Sequence, residues 1–273
     1  MHSKESIIRQ LEDMRVPKNS IVLVHSSLRR VGKTEDGAEG LIDALRAHIC
    51  ADGGLLCIPT HTWANLGKEG VLTLDMISGE TCIGTLPNTA ARHPDARRSL
   101  HPTHSMAVFG ERALEFISGE EKCTTPTPPA SCYGKIYDAD GYILLVGVGH
   151  NRNTYLHCVE EMLDVPNRLD AELRQVSIRH LSGEIEHRFS RGHCAKGIDD
   201  VSAQFPNYEP AFRYHGCIVD GYIGDAPTQL CSARKMKRVM ELIFKRSGGE
   251  ELLARLDPIP TEYYEGELED DEK

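Results

Sequence analysis

Short unbroken apolar runs alternate with amphipathic stretches through the first 165 residues. Ile21 to His25 (IVLVH) is apolar at successive positions and rich in β-branched side chains, which predicts a strand buried on both faces. Gly37 to Cys50 instead places Leu41, Ile42, Leu45 and Ile49 at helical spacing on one face. Gly53-Gly54 turns into a second apolar run, Leu55 to Pro59. Met106 to Phe109 predicts a third short strand and Arg112 to Ile117 a helix, while Thr124 to Ser131 (TTPTPPAS) is too rich in proline for either. Tyr142 to Val148 (YILLVGV) carries the strongest strand signal. A helix is expected from Thr154 to Leu163, stopped by Pro166. A short amphipathic helix opens the chain, with Ile7, Ile8, Leu11 and Met14 sharing a face and Ser3 or Ser6 as its cap.

The second half changes period. Glu172 to His180 and Ile185 to Ser190 alternate apolar and polar residues around Ser182-Gly183, which predicts a hairpin with one solvated face. Ser232 to Arg246 repeats apolar residues at helical spacing and forms the last long helix. Neither an internal repeat nor a linker interrupts the pattern. The expectation is a single α/β domain, a three-layer α/β/α arrangement around a mixed β-sheet.

Charge narrows the function. The 273 residues carry a formal net charge of -10, of which the last twelve, Glu262 to Lys273, supply -6. The folded domain is therefore assigned to residues 1–261 and an acidic, disordered tail to 262–273. Net acidity argues against a nucleic-acid partner, whose phosphate backbone needs clustered Lys and Arg. No apolar run is long enough to span a membrane, and no signal peptide opens the chain. Nine cysteines at wide, irregular gaps without a CxxC fit reduced thiols in a cytoplasm.

Polar clusters follow three of the strands: His25-Ser26-Ser27, Thr60-His61-Thr62, and His150 to Thr154. In open α/β sheets, ligands gather beyond the carboxyl ends of strands. A fourth cluster, Arg97-Arg98-Ser99 with His101, His104 and Ser105, is the one dense basic patch and a candidate for cofactor phosphates. His157 and Glu160 share a face in the first turns of a helix. The macrodipole there favours a neutral imidazole, and a carboxylate would orient it, so the pair describes a general base. The same spacing also describes a surface ion pair. GxSxG, P-loop and HExxH patterns are all absent, and no metal site is expected.

These clusters, in this order, resemble the aminoglycoside 3-N-acetyltransferase family. The matching segments are VLVHSSLRRVG (Val22 to Gly32), CIGTLPNTAARHPDARRSLHPTHSMAVFG (Cys82 to Gly110) and GYILLVGVGHNRNTYLHCVEE (Gly141 to Glu161), joined by SCYGKIY (Ser131 to Tyr137) and GYIGDAPTQLCSAR (Gly221 to Arg234). The resemblance implies a three-layer fold and transfer of an acetyl group from acetyl-coenzyme A to an amine, without a metal. It implies His157 and Glu160 as the catalytic pair. It also implies coenzyme contacts from His25, Ser26, Ser27 and Leu28 and from His104 and Ser105; Arg97 and Arg98 are added on electrostatic grounds alone. The expected partners are a small-molecule amine, an aminoglycoside among the candidates, and a second copy of the chain in a homodimer.

One departure stands out. Relatives that modify aminoglycosides carry an acidic, Gly-containing stretch before the SxxGK segment, where this chain has Thr125 to Ala130 without a carboxylate. A polycationic acceptor is held better by an acidic cleft. Asp75, Glu80, Asp164 and Asp170 are the acids expected to stand in. The alternatives are a coenzyme A-binding member that acts on a different amine, or one without transferase activity.

Overall fold

Alternation inside the buried strands decides the layering. The computed structural model describes residues 1–253 and 257–268. Its strands are β1 (Ile21–Ser26), β2 (Leu55–Pro59), β3 (Leu74–Asp75), β4 (Arg97–Arg98), β5 (Met106–Phe109), β6 (Tyr142–Val146), β7 (Arg174–Arg179), β8 (Ile185–Ser190), β9 (Ile218–Ile223) and β10 (Ala226–Ser232). Its helices are α1 (Lys4–Asp13), α2 (Leu28–Val31), α3 (Gly37–Ile49), α4 (Thr85–Arg92), α5 (Ala113–Ile117), α6 (Cys132–Asp138), α7 (Tyr155–Met162), α8 (Val201–Gln204), α9 (Glu209–Tyr214) and α10 (Ala233–Arg246).

Seven strands form one mixed sheet in the order β4-β5-β2-β1-β6-β10-β9. The centre, β2-β1-β6, is parallel; β5 and β10 join it antiparallel. Ile21 and Leu23 of β1, with Leu55, Cys57, Ile143 and Leu145, point to a core shared with α6, α7 and α10. Val22 and Val24, with Leu56, Ile58, Leu144 and Val146, point to a second core shared with α1 and α3. Each fully buried Val, Leu or Ile contributes roughly 1.5–3 kcal/mol, and both faces of the central strands collect it. This gives the three layers expected from the continuous apolar runs. Gly147 ends β6 with φ +64°, where a Cβ would stand 2.8 Å from the Arg30 side chain, so the chain can leave the sheet there at close quarters.

The hairpin of β7 and β8 forms as expected, but in a separate sheet, β3-β7-β8. The hairpin of β9 and β10 was not legible. Asp220, Gly221 and Pro227 interrupt its apolar period, and Val219 and Tyr222 stay exposed on the sheet edge.

The tail expected from Glu262 is corrected in part. Tyr264 is buried, Leu268 packs on the core beside α10, and Arg246 donates to the carbonyl of Glu265 at 2.5 Å. Two apolar side chains and a cation anchor this stretch despite its net charge. Residues 269–273, which hold most of the acids, lie outside the described residues.

Candidate active site

A cleft of about 1130 Å³ opens beyond the carboxyl ends of the three parallel strands. Each strand end contributes the polar cluster that follows it. His25, Ser26 and Ser27 come from β1, His61 from the loop after β2, and Asn151 to Thr154 from the segment after β6. Strands β2 and β6 lie on opposite sides of β1, so their connections diverge there and leave the crevice typical of α/β sheets.

His157 stands in the first turn of α7, on the cleft wall and 8% exposed. The geometry excludes the surface ion pair. Glu160 is 1% exposed, and its Oε2 lies 3.3 Å from His157 Nδ1. A carboxylate only accepts, so Nδ1 carries the hydrogen and Nε2 accepts from the Ser202 hydroxyl at 3.0 Å. The other carboxylate oxygen, Oε1, accepts from Arg168 Nε at 2.5 Å. Arg168 in turn pairs with Glu251.

Histidines surround His157. The His193 ring stacks on His157 with centroids 4.2 Å apart, and His104 lies 5.0 Å from His193 and 4.5 Å from His61. His61 Nε2 meets the Tyr133 hydroxyl at 2.6 Å, and His104 Nδ1 meets Thr103 Oγ1 at 2.9 Å. Burial holds His61, His104 and His193 well below the ordinary imidazole range and pushes His25 down to about 3. These rings stay neutral, so they crowd His157 without adding positive charge. The described residues hold no group of His, Cys, Asp and Glu arranged to bind a metal ion.

His25 Nε2, Ser26 Oγ and His193 Nε2 are buried without a protein partner. Unpaired buried polar atoms are costly, and three on residues that line one cleft suit a polar ligand. Leu28 does not line the cleft; it packs on the core below α3. The Ser27 N–H donates to the Val146 carbonyl at 2.9 Å and is not free to stabilise an oxyanion.

Of the basic patch, His104 lines the cleft, but Arg97 and Arg98 do not. Arg98 is 7% exposed, and its guanidinium binds Thr60 Oγ1 at 3.1 Å, Ser105 Oγ at 3.2 Å and the Thr60 carbonyl at 2.9 Å. Burial lowers its pKa to about 10, still charged at neutral pH. It pins the end of β2 to β4 and β5. Ser105 is fully buried in the same network, and Arg97 points to carbonyls of its own loop. Arginines at a strand pair look identical in sequence whether they face solvent, ligand or core. The cations that do line the cleft are Arg152 and Arg174.

The acids of the cleft are Asp170, Asp199 and Asp200. Of the four expected to stand in, Asp170 alone lines it; Asp75 is tied to Arg179. Asp200 also caps α8, accepting from the Ser202 N–H at 2.9 Å. The Pro-rich stretch does obtain a carboxylate, from Glu161: Thr125 Oγ1 donates to it at 2.6 Å and the Thr127 N–H at 2.7 Å. That carboxylate braces the loop and lies off the cleft lining. Ser202, His193 and Arg168 were missed because the first sits in a single-turn helix and the other two in irregular segments, none long enough for a periodic signal.

The family profile of the aminoglycoside 3-N-acetyltransferases matches residues 23–245. The chain belongs to this family. Membership places it among acetyl-coenzyme A-dependent acetyltransferases. Aminoglycoside N(3)-acetyltransferase IV of Salmonella sp is 38% identical over 165 residues, which span 60% of this chain and 60% of that relative's length. Among solved structures, a histidine-to-alanine mutant of aminoglycoside acetyltransferase AAC(3)-IVa in complex with a gentamicin is 29% identical, with a TM-score of 0.74 over 95% of this chain and 92% of that one. The fold is shared as well by AAC-IIIb in a binary complex with CoASH, at 22% identity and a TM-score of 0.75 over 90% and 97% of the two chains.

Proposed function

We propose that this chain transfers the acetyl group of acetyl-coenzyme A to an amine of a polycationic acceptor of the aminoglycoside class, with His157 as general base. One observation carries the reading: His157 presents Nε2 at the wall of a large cleft while Glu160 holds Nδ1 from behind. An ammonium group cannot attack a carbonyl, so a proton must leave it. His157 Nε2 takes that proton, at the place where the Ser202 hydroxyl now bonds, and Glu160 stabilises the imidazolium. The amine nitrogen then forms a bond to the thioester carbonyl carbon. The carbon–sulfur bond breaks, and the coenzyme leaves as its thiol, taking up the second proton that the nitrogen sheds as it becomes an amide.

Cys158 is no rival nucleophile, because burial raises its thiol well above the ordinary range and keeps it protonated. Asp199 and Asp200 lie beside Ser202 on the exposed rim of the cleft, and Asp170 lies beside Gly192 in an ion pair with Arg174, so the acceptor side proposed here offers carboxylates to a polycation. These acids serve in place of the carboxylate absent from Thr125 to Ala130. The orphaned atoms of His25 and Ser26, with Arg152 in reach of phosphate oxygens, are proposed to hold the coenzyme. Among the described residues no helix is long and apolar enough to cross a membrane, and we place the enzyme in the cytoplasm, where acetyl-coenzyme A is available.

The test is release of free coenzyme A thiol across a panel of amines: aminoglycosides, small polyamines and amino sugars. Thiol release is expected with aminoglycosides at a rate well above that with water alone. Release independent of any amine would mean a hydrolase, and coenzyme binding without release would mean a binding protein.

A further inference from the structure

His157 and Glu160 do not end the buried polar chain. Glu160 divides its two oxygens, Oε2 to His157 at 3.3 Å and Oε1 to Arg168 Nε at 2.5 Å. Arg168 is itself 4% exposed, and the rest of its guanidinium is committed to Glu251 and to the carbonyls of Pro166 and Asn167. Glu251 comes from the far end of the chain, held in place by the buried Leu252 and Leu253 that follow it. The order is imidazole, carboxylate, guanidinium, carboxylate, drawn from α7, the turn after it, and the C-terminal segment.

Charge arithmetic makes the last member informative. Glu160 alone would favour the imidazolium. Arg168 cancels Glu160, and a cancelled carboxylate offers little to a developing positive charge. Glu251 restores a net charge of -1 to the trio behind the ring. Burial opposes the Arg168 charge, yet Glu160 and Glu251 together hold its pKa above the ordinary guanidinium value.

We propose that Arg168 and Glu251 are positioning residues for the catalytic base: Arg168 fixes the rotamer of Glu160, and Glu251 offsets the guanidinium so that Glu160 can still stabilise the protonated ring. This rests on the reading of His157 as general base. The other groups facing His157 leave the offset intact. From the segment around residue 193 comes the neutral His193, from α8 the uncharged Ser202, and from the stretch after it the apolar Phe205, 4.7 Å away. His61 and His104 are neutral by burial. Asp199 and Asp200 are exposed on the cleft rim, and Asp170 is paired with Arg174. Arg152 is exposed on the same wall.

The experiment measures kcat/KM against pH for the parent, Arg168→Gln, Arg168→Lys and Glu251→Gln, with the most active amine of the panel. The His157 ring is titrated in parallel by carbon-13 NMR of labelled histidine. Removing the guanidinium should strengthen the imidazolium, so the acid limb in R168Q moves up by about one pH unit, with most of the rate regained at alkaline pH. Removing the Glu251 charge should weaken it, so the limb in E251Q moves down by about half a unit. R168K, which keeps the charge, should return the limb towards the parent. A structural role alone predicts equal loss at every pH with an unmoved limb and an unmoved ring titration, and that outcome overturns the proposal. So do shifts of the same sign in R168Q and E251Q. If the ring titration moves in opposite directions as expected while the rate limb does not, the relay stands and His157 is not the base.

Discussion

Among single residues, burial separates partners that look alike in the sequence. His157 and Glu160 lie three positions apart, a spacing common on exposed helix surfaces, yet both are enclosed and bonded to each other. Arg97 and Arg98 looked like one basic patch, yet one is exposed and the other is bound inside the sheet edge. The difference has a measurable consequence. Arg98→Met should strand the acceptors on Thr60 and Ser105 that its guanidinium now satisfies and cost about 2–3 kcal/mol of stability, measured by urea unfolding. Acetyl-coenzyme A affinity should stay within about twofold, since the side chain does not reach the cleft. A large loss of affinity with stability unchanged would return Arg98 to the phosphate role.

At the level of elements, legibility followed periodicity. The strands at 21–26, 55–59 and 142–146 were plain because both of their faces are buried, so nearly every position is apolar. Their trailing polar clusters then located the cleft, because a strand end that must stop in a loop exposes its next residues there. Helices α3 and α10 were plain from their single apolar stripes. The β9–β10 hairpin was not, since β9 is an edge strand with an exposed outer face and Pro227 of β10 precedes the residues that pair with β6. The site elements left unread have the same cause. Segment 191–195, α8 and the stretch after α10 are short or irregular, and tertiary contacts give them a fixed place: the N–H groups of Arg191 and Cys194 donate to the carbonyls of Thr124 and Arg168, and Leu252 and Leu253 are buried in the core. The roles proposed for His157 and Glu160 rest on the family resemblance; spacing alone left them open.

For the whole molecule, the site is a cluster of neutral histidines inside an acidic protein, and that couples stability to pH. His25, His61, His104 and His193 are held by burial below the ordinary imidazole value, while an unfolded chain returns each to about 6.5. Below that pH the unfolded state binds more protons, so the stabilisation is fully present above it and is lost as pH falls towards the folded values. Between about pH 7 and about pH 5.5 each of these rings should remove about 1 kcal/mol, seen as a falling urea midpoint. A midpoint flat over that range would show that the rings accept protons without unfolding.

The overall charge of -10 conceals where the charge matters, because the last twelve residues supply -6 of it. The charge that bears on the proposed function is local: Asp170, Asp199 and Asp200 line the same cleft as His157. The most direct test is the single-turnover rate of acetyl transfer by His157→Ala, measured with saturating acetyl-coenzyme A and an aminoglycoside. The rate should fall at least about 100-fold, while the Kd for acetyl-coenzyme A stays within about twofold. A rate within about threefold of the parent would contradict the assignment of His157 as the base.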